Sequence, residues 1–173
     1  MSSTYKVGVV FEDLDHGSLG LVSSVLPDAV VSEAGAVTTV RATVRAPGPA
    51  AALSQLVESV TKAVPAAVPL RVDQDLVSVS DIARRVGRTR EYVRLLVDGK
   101  RGPGGFPAPV GVVGDGIRVW PWSVVLEWSG KVLGVDLGEN GVPPLTAAVL
   151  DVGFATRRSP ELAAALGRGW LAG

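Results

Sequence analysis

Val79-Ser80-Asp81-Ile82-Ala83-Arg84-Arg85-Val86-Gly87-Arg88-Thr89-Arg90-Glu91-Tyr92-Val93-Arg94-Leu95-Leu96 is the stretch on which the reading of this chain turns. It reads as two short helices broken at a glycine. Ser80 is the expected cap of the first helix, and Ile82, Ala83 and Val86 give that helix an apolar stripe at helical spacing. The small Ala83 suits a close helix crossing. Gly87 can take the left-handed conformation that ends one helix and turns the chain. Thr89 caps the second helix. Val93 and Leu96 then face the first helix, which leaves Arg90, Glu91 and Arg94 pointing outward. Two helices joined by a tight turn make a helix-turn-helix.

The residues that follow extend the pattern. Asp98 to Pro109 carries Gly99, Gly102, Gly104 and Gly105 together with Pro103, Pro107 and Pro109, a loop composition. Val110–Val113 and Ile117–Trp120 flank Gly114-Asp115-Gly116, a hairpin signal. Ser123–Trp128 reads as a closing helix with Val125 and Trp128 inward. Trp120, Trp122, Trp128 and Phe106 are expected in the core of this small domain rather than as stacking platforms.

Upstream, Lys6–Phe11 alternates as a half-buried strand, with Val7, Val9 and Phe11 on one face. Gly17–Val25 reads as a helix closed by Pro27. Ala29–Ser32 and Val37–Arg45 read as strands around a turn at 33–36. Pro49 opens a helix with Leu53, Leu56, Val57, Val60 and Val64 on one face, and Leu70–Val72 is a last strand. The order β-α-β-β-α-β predicts a ferredoxin-like arrangement, which by itself assigns no activity. Asp73-Gln74-Asp75 reads as a polar hinge. Downstream, Pro144–Phe154 and Pro160–Leu166 read as helices, the second with Ser159 and Pro160 as its start signal. Their apolar positions Leu145, Val149, Leu150 and Val152 imply packing on the winged domain or on a partner chain.

The expected fold class is therefore α+β: residues 1–74 a ferredoxin-like module for dimerisation or ligand sensing, 75–130 a winged helix-turn-helix domain, and 131–173 a helical tail.

Composition narrows the chemistry. The chain has no cysteine, which excludes disulfides, thiolate metal sites and cysteine nucleophiles. His16 is its one histidine and sits beside Asp13, Asp15 and Gly17, a solvated-turn setting rather than a triad. An acylphosphatase-like site would need an asparagine near the first strand, and the one asparagine is Asn140. No enzymatic activity, metal or cofactor is expected. No apolar run is long enough for a transmembrane helix, and Met1–Lys6 lacks a signal-peptide core, so the expected location is cytoplasmic. The formal net charge is zero, yet between Ile82 and Arg101 stand seven basic residues against two acidic ones. Local concentration of cations, not the sum, is the footprint of nucleic-acid binding.

Residues 77–128 resemble the excisionase and AlpA-type group of bacterial and phage DNA-binding domains, related to the MerR type. The residues that carry the resemblance are Ser80-Asp81-Ile82-Ala83, the Gly87 turn, Gly105-Phe106-Pro107-Ala108-Pro109, and Trp120-Pro121-Trp122-Ser123 ending in Trp128. Family members usually carry an acidic residue after the serine that starts the last helix; Val124 stands there instead.

The resemblance implies a winged helix-turn-helix that binds double-stranded DNA, its second helix in the major groove. Arg90 and Arg94 are then the expected guanine readers and Glu91 an acceptor for cytosine. Arg84, Arg85, Arg88, Thr89, Tyr92, Lys100, Arg101 and the wing residue Arg118 are expected on the backbone. Useful affinity calls for a homodimer or a row of protomers. The expected function is a transcriptional regulator or excisionase-like factor. The alternatives are a DNA-packaging or partition component with the same motif, and a protein-interaction scaffold with a vestigial helix-turn-helix. A fourth reading is a one-component sensor, with a small effector bound by the N-terminal module.

Overall fold

A computed structural model describes residues 2–169, and the fold is α+β. The chain divides into two compact units, with boundaries between Asp73 and Gln74 and between Pro144 and Leu145.

The first unit begins with β1 (Ser3–Glu12), α1 (His16–Val25), β2 (Val30–Ala34), β3 (Val37–Ala46), α2 (Pro49–Ala63) and β4 (Pro69–Val72). The four strands form one antiparallel sheet in the order β2-β3-β1-β4. β1 is longer than the Lys6–Phe11 run. It is also buried on both faces from Val7 to Phe11, not half-buried as its alternation implied. On one face lie Val7, Val9 and Phe11. On the other, Gly8 admits the side chains of Arg41 and Asp73, which are ion-paired. A Cβ at Gly8 would sit 3.0 Å from Asp73 Cβ and 3.1 Å from Arg41 Cγ, so this position has no room for a larger residue. α1 is capped by Asp15, whose carboxylate accepts from the Ser18 N–H at 2.7 Å. α2 begins with Pro49 in its first turn and buries Ala52, Leu53, Leu56 and Val60, the stripe its period predicts.

The segment 131–173 does not form a separate tail. Residues 131–133 end a helix of the second unit, and 134–144 stay with that unit. From Leu145 onward the chain belongs to the first unit; residues 170–173 lie outside the described residues. Two helices are involved, α6 (Pro144–Arg158) and α7 (Pro160–Gly169).

The reason for α6's placement is the open edge of β4. A sheet-edge strand leaves N–H and C=O groups without ladder partners. Here the Val72 N–H donates to Asp151 Oδ1 at 2.6 Å, and Arg158 Nη2 donates to the Leu70 carbonyl at 3.4 Å. Ala147 and Phe154 are the buried residues of α6. Leu145, Val149 and Val152, expected to pack inward, are 77%, 64% and 50% exposed.

The second unit holds β5 (Leu76–Val77), α3 (Val79–Arg85), α4 (Arg90–Val97), β6 (Gly111–Val113), β7 (Ile117–Pro121) and α5 (Trp122–Leu133). Its sheet has the order β5-β7-β6. The hairpin forms where the Gly114-Asp115-Gly116 turn places it. β5 was not foreseen: Leu76 and Val77 follow the expected hinge and pair with Pro121 and Trp120. The core is Val77, Ile82, Ala83, Val93, Trp120, Trp122 and Val125.

The edge-capping bond supplies a test. Burial pushes the Asp151 carboxyl above the usual carboxylate range, against the opposing pull of the Val72 N–H and of Arg71. A raised folded-state value means that folding favours the protonated form. The stabilising contribution is then full below the unfolded value and falls as pH rises through the folded one. Asp151→Asn keeps an acceptor and removes the buried charge, so at neutral pH it is expected to match or exceed the wild type. Asp151→Ala leaves the buried Val72 N–H without its partner and is expected to cost about 1–3 kcal/mol. Urea unfolding followed by far-UV circular dichroism distinguishes the two.

Candidate nucleic-acid interface

α3 starts on a capping box. Ser78 Oγ accepts from the Asp81 N–H at 3.3 Å, and the Asp81 carboxylate accepts from the Ser78 N–H at 3.0 Å. The cap is therefore Ser78, not Ser80. The box needs an acidic residue three positions on, and Ser80 is followed at that distance by Ala83. α3 buries Ile82 and Ala83. Gly87 then turns the chain at φ +63°, with the Arg88 N–H donating to the Ala83 carbonyl at 2.9 Å. Thr89 caps α4 by accepting from the Tyr92 N–H at 3.1 Å.

α4 is sharply two-sided: Val93 and Leu96 are buried, while Arg90, Glu91 and Arg94 are exposed. The exposed side carries a chain of ion pairs. Arg94 Nε and Nη2 reach the two oxygens of Glu91 at 2.8 and 2.6 Å, and Arg94 Nη1 reaches Asp98 Oδ2 at 3.1 Å. Arg118 Nη2 on β7 takes the other Asp98 oxygen at 3.2 Å. Two of the three expected base readers, Glu91 and Arg94, thus bind each other. The Arg94 guanidinium holds the Glu91 carboxyl below its usual range, with a smaller contribution from Lys100.

The expected backbone contacts fall into two groups. Arg84 pairs with Asp81 at 2.7 Å, and Arg85 takes both oxygens of Asp75 at 2.5 and 2.8 Å. Arg85 also lies 4.9 Å over the Trp122 ring, so its donors are turned into its own unit. Asp75 is held for this task in a left-handed conformation, φ +48°, and its carbonyl accepts from the Trp122 N–H. In the other group, Arg88 and Arg101 lie over the Tyr92 ring at 5.7 and 4.6 Å. Arg88, Arg90 and Arg101 pair with no carboxylate among the described residues, and Lys100 is exposed. Arg88, Tyr92 and Arg101 are thus gathered at one spot beside α4.

The tryptophans hold the long loop. Trp120 Nε1 donates to the Pro107 carbonyl at 2.9 Å and Trp128 Nε1 to that of Gly104 at 3.4 Å. Phe106 sits between these two rings, at 5.6 and 4.7 Å. All three indoles, Trp122 included, are buried. The hairpin exposes three apolar side chains: Val112, Val113 and Ile117 are 61%, 49% and 52% exposed. Among the described residues no cluster of acidic or histidine side chains could hold a metal, and no helix is long and apolar enough to cross a membrane.

Sequence reasoning passed over Asp98 and Asp75. Asp98 ties α4 to β7, and Asp75 fixes Arg85. The pairs that join separate elements, Asp98 with Arg118 and Asp75 with Arg85, span 20 and 10 residues and so lie in no motif.

No family model, curated protein or solved structure matches this chain.

The capping box makes the stability of this unit depend on pH. Hydrogen bonds from the Ser78 hydroxyl and N–H lower the Asp81 carboxyl below its ordinary 3.8, and Arg84 and Arg85 add to this. A lowered folded-state value contributes stability that is present above 3.8 and lost as pH falls through the folded value. Asp81→Asn is expected to flatten this acid limb and to leave a weaker cap at neutral pH. Tryptophan fluorescence during urea unfolding at several pH values reads the difference.

Proposed function

We propose that the Gln74–Pro144 unit is a sequence-specific binder of double-stranded DNA, serving as a transcriptional regulator or excisionase-like factor. The observation that carries this reading is the two-sided α4. Burial of Val93 and Leu96 turns Arg90, Glu91 and Arg94 outward on one short helix, with Arg88, Lys100 and Arg101 beside it. Eight helical residues span about 12 Å, close to the width of the major groove, about 12 Å. The resemblance of 77–128 to excisionase and AlpA-type domains adds to this.

In this reading Arg90 is the first base reader, since no internal pair competes for it. Arg94 reads guanine after giving up Glu91. Thr89, Arg88, Tyr92, Lys100 and Arg101 lie on the backbone. Arg84 joins them on releasing Asp81, whereas Arg85 acts chiefly in holding the unit together. Arg118 positions Asp98 and reaches a phosphate only by leaving it. The first unit, read as a ferredoxin-like module, is the proposed means of pairing two copies as a homodimer, which suits two half-sites. The proposed setting is cytoplasmic and the activity non-enzymatic.

A protein-interaction scaffold is the second reading. The internal pairing of Arg84, Arg85, Arg94 and Arg118 favours it, as do the exposed apolar side chains of the hairpin.

The deciding experiment selects duplexes from a random pool and measures binding by fluorescence anisotropy across a salt series. Expected are an enriched motif, affinity that falls steeply with salt, and a loss of roughly tenfold or more for Arg90→Ala. Arg94→Ala is expected to relax base preference as well as weaken binding, and Arg85→Ala to lower stability more than specificity. Clustered repeats in the genomic targets, instead of single operators, would point to a packaging or partition component. No enrichment and only weak low-salt binding would overturn the DNA reading in favour of the scaffold.

A further inference from the structure

We infer that the second unit contains a binding site for a small aromatic carboxylate, in a cavity beneath α4. The cavity has a volume of about 110 Å³, the same order as an apolar cavity of about 150 Å³ known to admit benzene. It lies wholly within the Gln74–Pro144 unit, between the inner face of α4 and α5. Tyr92, Phe106 and Trp128 line it, so an aromatic ring would meet ring edges and faces rather than aliphatic wall alone.

Two polar groups interrupt that lining. Ser129 is only 4% exposed and is one of the residues that line the cavity. A hydroxyl on the wall of an apolar cavity can donate to a carboxylate or accept from a ligand's donor. Arg88 lines the same cavity and is also solvent-exposed, which puts it at the mouth. It pairs with no carboxylate among the described residues, and its one aromatic neighbour is Tyr92. Arginine presents a planar fork that matches a carboxylate. An apolar cavity of this volume, with a serine on its wall and at its opening a guanidinium that pairs with no carboxylate among the described residues, fits benzoate-like ligands. A neutral hydrocarbon would leave both polar groups unused, and a dianion would bring a second charge into the apolar interior.

The site does not rest on the DNA reading, and its test contains no DNA. Sodium benzoate is titrated into the full chain, with binding followed by ligand-observed saturation-transfer NMR and by thermal shift, and toluene is used as the neutral control. Expected are saturable benzoate binding with a rise in Tm, and tenfold or more weaker benzoate binding for Arg88→Gln with toluene binding unaltered. Ser129→Leu fills the chamber and is expected to abolish both. A cooperative melt shows that this variant folds, and the exposed Arg88→Gln serves as the independent variant if it does not. Absence of benzoate binding to the wild type overturns the proposal. So does benzoate binding that Arg88→Gln leaves unchanged, or toluene binding as tightly as benzoate.

Discussion

Everything on the outer face of α4 follows from what its inner face buries. Val93 is 1% exposed and Leu96 5%. Val93 closes on Ile82 and Ala83 of α3 and on the indole-rich core supplied by β7 and α5, and Leu96 lines the cavity beside them. A helix has 3.6 residues per turn, so fixing positions 93 and 96 inward fixes 90, 91 and 94 outward. No separate force has to orient the arginines. The crossing can be close because Ala83 is small, and the connection can be short because Gly87 accepts φ +63°. A residue with a Cβ would be strained there by roughly 1–2 kcal/mol. The loop that carries Phe106 is fixed by the same core: two tryptophan N–H groups bind its carbonyls, which converts a glycine- and proline-rich segment into a wall of the cavity.

The first unit obeys a different constraint. A four-stranded sheet with helices has two edges to manage, and here they are managed unequally. β4 is closed by side chains of α6, a helix about eighty residues further along the chain, through Asp151 and Arg158. β2, the opposite edge, ends the sheet, and Val30 on it is 62% exposed. The element that returns to close an edge must bring polar side chains at the right height, which explains a partly buried aspartate in the middle of α6. The cost of burying its charge is offset in part by the hydrogen bond it accepts from the Val72 N–H.

Local features were legible and long-range ones were not. Thr89, Gly87, the hairpin turn and the stripe of α2 act over three to five residues, so spacing alone reveals them. The capping box was legible as well, since Ser78 and Asp81 stand three apart, but the neighbouring Ser80 drew the assignment away. By contrast, the Asp98–Arg118 and Asp75–Arg85 pairs depend on how the hairpin and β5 come back against the helices. β5 has only two residues, too few to show a period. α6 misled for a physical reason. Leu145, Val149 and Val152 recur at helical spacing and resemble a buried stripe, yet the contact is made through Ala147, Phe154 and the polar Asp151. Hydrophobic periodicity identifies a face; it does not say that the face is the one covered.

The charge arrangement around α4 decides how the proposed DNA contact would work. An unpaired arginine is free to approach a base at once, whereas Arg94 begins in the grip of Glu91 and Asp98. Exposed ion pairs are weak and screened by salt, and a guanine edge offers the same fork two acceptors in one plane. The exchange is therefore feasible, but it strands two carboxylates close to a polyanion. Asp98 has a remedy in Arg118, which already holds its other oxygen. Glu91 lacks such a second fork, and it must find a base amine or Lys100 to remain near the groove. Arg118 is thus better understood as the counter-charge that lets Asp98 stay beside α4 than as a phosphate ligand. A sequence able to donate to Glu91 while accepting from Arg94 would be preferred over one that merely attracts cations. Selectivity in this reading arises as much from the acids of the interface as from its arginines.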